Sequence, residues 1–264
     1  MDIQDPLTAA TPSEVPLANA PLVRVIAQMR FPVIAAIEKQ SFVSGFQESL
    51  REQYPVLRRE VVKGLVVGPE GIKPVPDGTV WRFSNLDQTW RVSLAPDFMA
   101  LETTAYQSRT NFLAQLRDVS GALEKHVSPK VIDRIGLRYI DRVTGSTVDD
   151  IAKLIRPDAV GLSGGPLAGH VQHAISEMML TVSDNAGLLA RWGKLPPHGT
   201  VDPTAIEPIG DRSWILDLDM FSTKPAIFSE TEIMTKANLF AERLYTFFRW
   251  FVSEEFLRRY GSAT

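Results

Sequence analysis

Residues 131–143 read VIDRIGLRYIDRV, and this stretch decides the fold. Apolar and polar residues alternate along it with a period of two, which is typical of a β-strand that has one buried face. The residues of the predicted apolar face are Ile135, Leu137, Tyr139 and Val143. The residues of the opposite, polar face are Arg134, Gly136, Arg138 and Arg142. The segment therefore predicts a long strand in a sheet that is covered on one side.

Further strands and helices surround this strand along the chain. Between residues 61 and 106, short apolar runs are separated by Gly, Pro and Asn-Leu-Asp turns, which predicts an antiparallel meander. Apolar residues recur every three or four positions at residues 41–54 and again after Ser108, which predicts two helices. Ser229 and Glu232 form a capping box that opens a long final helix. The sequence therefore predicts an α+β fold, a large antiparallel sheet covered by helices that include a long C-terminal helix.

The domain organisation follows from composition along the chain. Residues 1–20 are rich in Pro, Ala, Thr and Ser and show no apolar period, so they are predicted to be a disordered lead-in. Residues 21–264 are predicted to form a single α+β domain. An alternative is two pseudo-repeats of an ancient duplication, with a boundary near residues 145–165.

Composition excludes several functional classes. The chain has 264 residues, of which 44% are hydrophobic and 22% charged, with a formal net charge of −3, as in ordinary soluble proteins. It has no cysteine, which excludes thiol catalysis, disulfides and Cys-ligated metals. It has no uninterrupted apolar run long enough for a membrane span and no basic start before an apolar segment, so we expect a cytoplasmic protein without membrane contact. A sequence pI near 5.9 disfavours nucleic acid, although Trp81 and Trp90 could serve as stacking platforms.

Several motifs occur together in a characteristic order. They are DRIGLRYIDRV at 133–143, DFMALETTAY at 97–106, PLVRVIAQMRF at 21–31, LDLDMF at 216–221 and the final aromatic helix. Together they resemble a sporadically distributed prokaryotic family of uncharacterised proteins of about 260 residues. The resemblance implies no established activity, cofactor or catalytic residue. The sporadic distribution that it implies suits accessory roles in defence or mobile-element loci.

The polar face of the quoted strand is the first candidate site. Arg134, Arg138 and Arg142 occupy every second outward position of one face, where successive outward positions are about 6.8 Å apart. Such guanidinium groups could bind a phosphate-rich ligand. In a second interpretation they form ion pairs with Asp217 and Asp219 of a neighbouring strand. In a third they lie on a solvated face.

Asp217 and Asp219 are also the candidate metal ligands. Two carboxylates at positions i and i+2 of a strand project together and could hold a divalent cation, although two carboxylates are too few alone. The Gly-rich stretch 161–169, GLSGGPLAG, lacks the Lys-Ser/Thr ending of a phosphate-binding loop and the glycine spacing of a dinucleotide fingerprint. It is interpreted as a flexible connection, and no cofactor is expected.

The final helix carries more aromatic residues than one stripe needs. Tyr245, Phe248 and Trp250 are the candidate partner surface, because exposed aromatic residues mark protein contacts. The alternative is that all of them are buried against the sheet. Either another protein or a second copy of the chain, in a possible dimer, could occupy such a surface.

The functional expectation follows from these patterns. No recognisable nucleophile, base or metal constellation is present, which favours a cytoplasmic interaction protein that acts in a complex rather than an enzyme. The alternative is an enzyme or sensor for a phosphate-containing small molecule or RNA, which would use the arginine-lined sheet face.

Overall fold

The computed structural model describes residues 5–68 and 71–261 and, within these, the side chains of all residues except 62–77. The chain divides into two compact units. The first comprises Met1–Val25, Arg138–Phe221 and Leu239–Thr264, and the second comprises Ile26–Leu137 and Ser222–Asn238. The predicted pseudo-repeat boundary near residues 145–165 lies inside the first unit, and the duplication stays a prediction.

Nine of the strands form one large sheet, and the predicted α+β fold is confirmed. The strands are β1 (Leu22–Arg30), β2 (Val56–Gly68), β3 (Gly71–Ser84), β4 (Trp90–Ala95), β5 (Phe98–Thr103), β6 (Val131–Ile132), β7 (Arg134–Thr144), β8 (Ala174–Ser183), β9 (Ala186–Leu195), β10 (Ser213–Ser222) and β11 (Ala226–Ile227). The order in the large sheet is β2-β3-β4-β5-β1-β7-β10-β9-β8, and β6 and β11 form a separate pair. The described helices are α1 (Gln40–Leu50), α2 (Arg109–His126), α3 (Ile151–Leu154), α4 (Pro157–Val160), α5 (Glu230–Phe251) and α6 (Glu254–Tyr260).

The quoted stretch becomes β6 and β7, and β7 has buried residues on both of its faces. Ile135 and Leu137 are buried in the second unit, and Ile140, Asp141 and Val143 are buried in the first. Arg134 and Arg138 are half-buried. The predicted strand is therefore present, but its polar face is more enclosed than a solvated surface would be.

The C-terminal helix is interrupted once. The Ser229 hydroxyl accepts a hydrogen bond from the Glu232 amide at 3.5 Å, as the capping box predicts. The apolar period of the sequence predicts one helix up to Gly261, but the helix ends at Phe251. It ends there because Ser253 begins α6: its hydroxyl accepts from the Phe256 amide and donates to the Lys153 carbonyl.

The predicted lead-in is coil and turn from residue 5 to residue 20. It nevertheless contacts α5. Arg243 donates to the carbonyls of Pro6 and Ala9 at 3.1 and 2.8 Å, and the Tyr245 hydroxyl accepts from the Val15 amide at 2.8 Å. The sequence pattern did not indicate these hydrogen bonds.

Among the described helices, none combines the length and the apolar character that crossing a bilayer would need.

Candidate functional site

The candidate anion site lies on three strands that are neighbours in the first unit. β7 contributes Arg138, β10 contributes Asp217 and β9 contributes Arg191. Asp217 lies between the two arginines, because β10 lies between β7 and β9 in the sheet. The segment 196–212, which joins β9 to β10, adds Asp202.

These four side chains form a closed network. Arg138 donates from Nε and Nη2 to the two carboxylate oxygens of Asp217, at 2.7 and 2.8 Å. Its Nη1 donates to Asp202 Oδ2 at 2.8 Å. Arg191 completes the network by donating from Nε to Asp217 Oδ2 at 3.0 Å. The cross-strand ion pairing considered for Arg138 and Asp217 is therefore what the structure contains.

Much of this network is buried. Only 1% of the Asp217 side chain is exposed. Burial favours the neutral form of Asp202, but hydrogen bonds from Thr204 and Arg138 outweigh this effect and lower the pKa of Asp202 to about 2. Burial also opposes the charge of Arg138, yet Asp217 and Asp202 raise the pKa of Arg138 above its ordinary value. Asp202 and Arg138 are therefore both charged at neutral pH.

A second arginine pair lies under the same segment. Arg24 of β1 donates to the Thr204 carbonyl and to the Glu207 carboxylate, both at 3.2 Å. Arg142 of β7 donates from Nη1 to the Glu207 carbonyl at 2.7 Å. Arg142 is only 9% exposed, and among the described residues its Nε and Nη2 atoms have no hydrogen-bond partner. Burial lowers the pKa of Arg142.

Arg134, the third predicted arginine, belongs to the second unit. Its guanidinium lies over Gly136, where an added Cβ would come within 2.6 Å of Arg134 Nη1. The glycine therefore leaves room for this side chain, as the alternation suggested.

The two candidate metal ligands have different surroundings. Asp217 is buried and bonded to two arginines, so its oxygens are already used. Asp219 is half-buried. Within the described residues, no group of three or more His, Asp and Glu side chains is placed to hold a metal ion.

The two tryptophans considered as stacking platforms have partners inside the protein. Trp81 is buried and donates to the Ile37 carbonyl, and Trp90 stacks on Phe112.

The candidate partner surface is occupied within the chain. Tyr245, Phe248 and Trp250 are half-buried. Tyr245 stacks on Phe248 with ring centres 6.4 Å apart, and its hydroxyl bonds to the lead-in. The guanidinium of Arg156 lies over the Trp250 ring, 3.7 Å from its centre.

A different apolar surface is exposed, and sequence reasoning missed it. β8 is the last strand of the sheet order, and it pairs with β9 on one side. In β8, Met178 is 46% exposed and Met179 is 64% exposed. The signal was present in the sequence, since two adjacent methionines in a strand cannot both face one core.

Asp141 is the other residue that sequence reasoning missed. It lies between Tyr139 and Val143 on the face of β7 that was predicted to be apolar, and it is 6% exposed. Burial raises the pKa of Asp141 to about 7. Its charge acts on Tyr260 of α6, whose pKa is raised chiefly by burial.

Comparisons with protein-family models, with curated proteins and with solved structures found no match. The resemblance to an uncharacterised prokaryotic family stays a prediction from the motifs.

Proposed function

We propose that the protein is an interaction protein and that β8 is its contact, pairing with β8 of a second copy of the chain. The exposed methionines of this strand carry the proposal. Strands at the edge of a sheet present unpaired backbone groups, and natural proteins protect them with charges, proline or short length. β8 has ten residues, no proline and one charged side chain, Glu177.

The sequence of β8 is self-complementary when two copies pair antiparallel about Met179. A twofold axis perpendicular to the sheet places Met179 opposite Met179 of the second copy. On the same face Glu177 then meets Thr181, and on the other face Met178 meets Leu180. Near the axis apolar side chains are thus matched with apolar ones and no like charges face each other, which favours cross-strand pairing, whereas towards the strand ends Ile175 meets Ser183 and Ser176 meets Val182.

The expected interface is small. A single added strand buries less than the roughly 1,200–2,000 Å² of stable complexes, so we expect a weak, reversible dimer. Such an edge suits an accessory protein that assembles in a defence or mobile-element locus, the role proposed from the motifs.

The Met179→Lys variant tests this interface. It places two ammonium groups opposite each other at the twofold axis, so the dimer dissociation constant is expected to rise at least about tenfold. Sedimentation velocity at about 1 to 200 µM measures it. Leu86→Lys is the matched control, because Leu86 is 78% exposed and lies in a turn outside β8.

Two results contradict the proposal. One is a parent protein that stays monomeric over the whole concentration range, which would leave only a different protein as a partner for β8. The other is a Met179→Lys variant that dimerises as tightly as the Leu86→Lys control.

An anion-binding function is a second candidate, and Arg142 favours it. A buried guanidinium with two unpartnered nitrogens among the described residues has donors left for a ligand such as a phosphate. Access requires residues 196–212 to move away from Arg24 and Arg142.

Pyrophosphate is the probe for this second candidate. The Arg142→Met variant is expected to weaken binding, measured by titration calorimetry, at least about tenfold. Arg212→Met, which removes a half-exposed arginine, is the control. Equal affinity of the two variants, or no binding to the parent protein, argues against this function.

A further inference from the structure

We propose that a cavity in the first unit binds a small organic carboxylate with an apolar body. The cavity has a volume of about 360 Å³, within the range of small-molecule sites. Its floor is the end of β8, β9 and β10, its side is formed by residues 148–155, and its cover is formed by residues 159–171. The cavity shares Ala174 and Ser176 of β8 with the strand proposed as the dimer contact, but none of the residues that surround Met179 at the proposed twofold axis.

The walls are mainly apolar. Trp192 and Trp214 contribute the largest side chains, and Ile155 contributes a branched one. Trp192 donates from its indole N–H to the Ala159 carbonyl at 2.8 Å, which fixes the cover to the floor. Both indoles also pack on Phe251, with ring centres 5.4 and 6.2 Å away. The apolar part of a ligand would therefore meet a wall whose aromatic rings are held in place.

The floor depends on one glycine. Gly193 has a φ of +145°, and an added Cβ would lie only 1.9 Å from the Ala174 carbonyl oxygen. The absence of a side chain lets β8 and β9 approach closely at this point, where both line the cavity.

Lys194 contributes a positive charge to the lining of the cavity. Its side chain is half-buried and lines the cavity, and among the described residues its ammonium group forms no hydrogen bond or ion pair. The acidic residue of the lining, Asp149, is paired with Arg212 at 2.6 Å. A cation in a mainly apolar site selects an anion.

The charge balance selects a carboxylate over a phosphate ester. One ammonium group neutralises one negative charge, whereas a phosphate ester carries about −1.5 to −2 at pH 7. The excess charge would be buried against tryptophan and isoleucine, which is costly. A monocarboxylate matches the single cation.

Titration calorimetry with phenylacetate and its neutral analogue phenylacetamide tests the proposal. The parent protein is expected to bind phenylacetate at least about tenfold more tightly than phenylacetamide, because only the acid pairs with Lys194. Lys194→Gln is expected to remove this difference by weakening the acid alone. Lys224→Gln, at an exposed lysine outside the cavity, is the matched control and is expected to change nothing.

A second variant locates the binding. Ala174→Phe places a large ring beside Lys194, its partner in the β8–β9 register, and is expected to abolish binding of both compounds by filling the cavity. The proposal is overturned if neither compound binds the parent protein at about 10 mM, or if acid and amide bind equally. It is also overturned if Lys194→Gln keeps the preference for the acid, or if a folded Ala174→Phe variant still binds.

Discussion

The Asp217→Asn variant is expected to lose about 3 to 5 kcal/mol of its free energy of unfolding. Asp217 is the shared partner of Arg138 and Arg191, and it is almost wholly buried. An amide cannot neutralise two guanidinium groups, so the variant would retain buried positive charge that only Asp202 partly offsets. Urea unfolding followed by circular dichroism at pH 7 measures the loss.

Glu207→Gln is the matched control. Its side chain is 77% exposed although it pairs with Arg24, so its removal is expected to cost less than about 1 kcal/mol. A loss for Asp217→Asn that is as small as that of the control would show that the buried network contributes little.

Asp141→Asn is expected to stabilise the protein at alkaline pH by roughly 2 to 4 kcal/mol. The folded state keeps a proton on Asp141 up to a pKa of about 7, whereas the unfolded chain releases this proton near the ordinary aspartate pKa of 3.8. The free energy of unfolding contributed by this group therefore falls as pH rises from about 4 to 7, by about 4 kcal/mol, and is constant above that window. Asparagine does not titrate and avoids this loss.

Urea unfolding of both proteins at pH 5 and pH 8 measures the effect. The difference between variant and parent is the relevant quantity, because the contributions of other groups, such as His126 with its pKa lowered by burial, then cancel. The gain is expected at pH 8 and to shrink or reverse at pH 5. An equal difference at both pH values would mean that Asp141 does not titrate in this window.

Much of the fold could be predicted because a strand or helix that buries one face repeats its apolar residues with a fixed period along the sequence. The alternation of residues 131–143 predicts β7, and the capping box at Ser229 predicts the start of α5. The break after Phe251 could not be predicted, since the apolar period continues through it. It depends on the Lys153 carbonyl, which is distant in sequence and accepts a hydrogen bond from Ser253.

The candidate site could be predicted only in part, for a similar reason. Arg138 and Asp217 lie on regular strands, so their shared face is visible in the sequence. Asp202 lies in the irregular segment 196–212, which no period describes. The alternation along β7 puts Asp141 on the same face as Tyr139 and Val143, so its burial could have been predicted. Acidic residues are, however, seldom assigned to a core.

The division of the chain has a consequence for synthesis on the ribosome. The first unit is assembled from three separate stretches of the chain, Met1–Val25, Arg138–Phe221 and Leu239–Thr264. Val15 cannot meet Tyr245, its partner on α5, until the ribosome has added the 230 residues that separate them. We expect this unit to fold late in synthesis, so that nascent chains depend on chaperones for longer than a protein with sequential domains would.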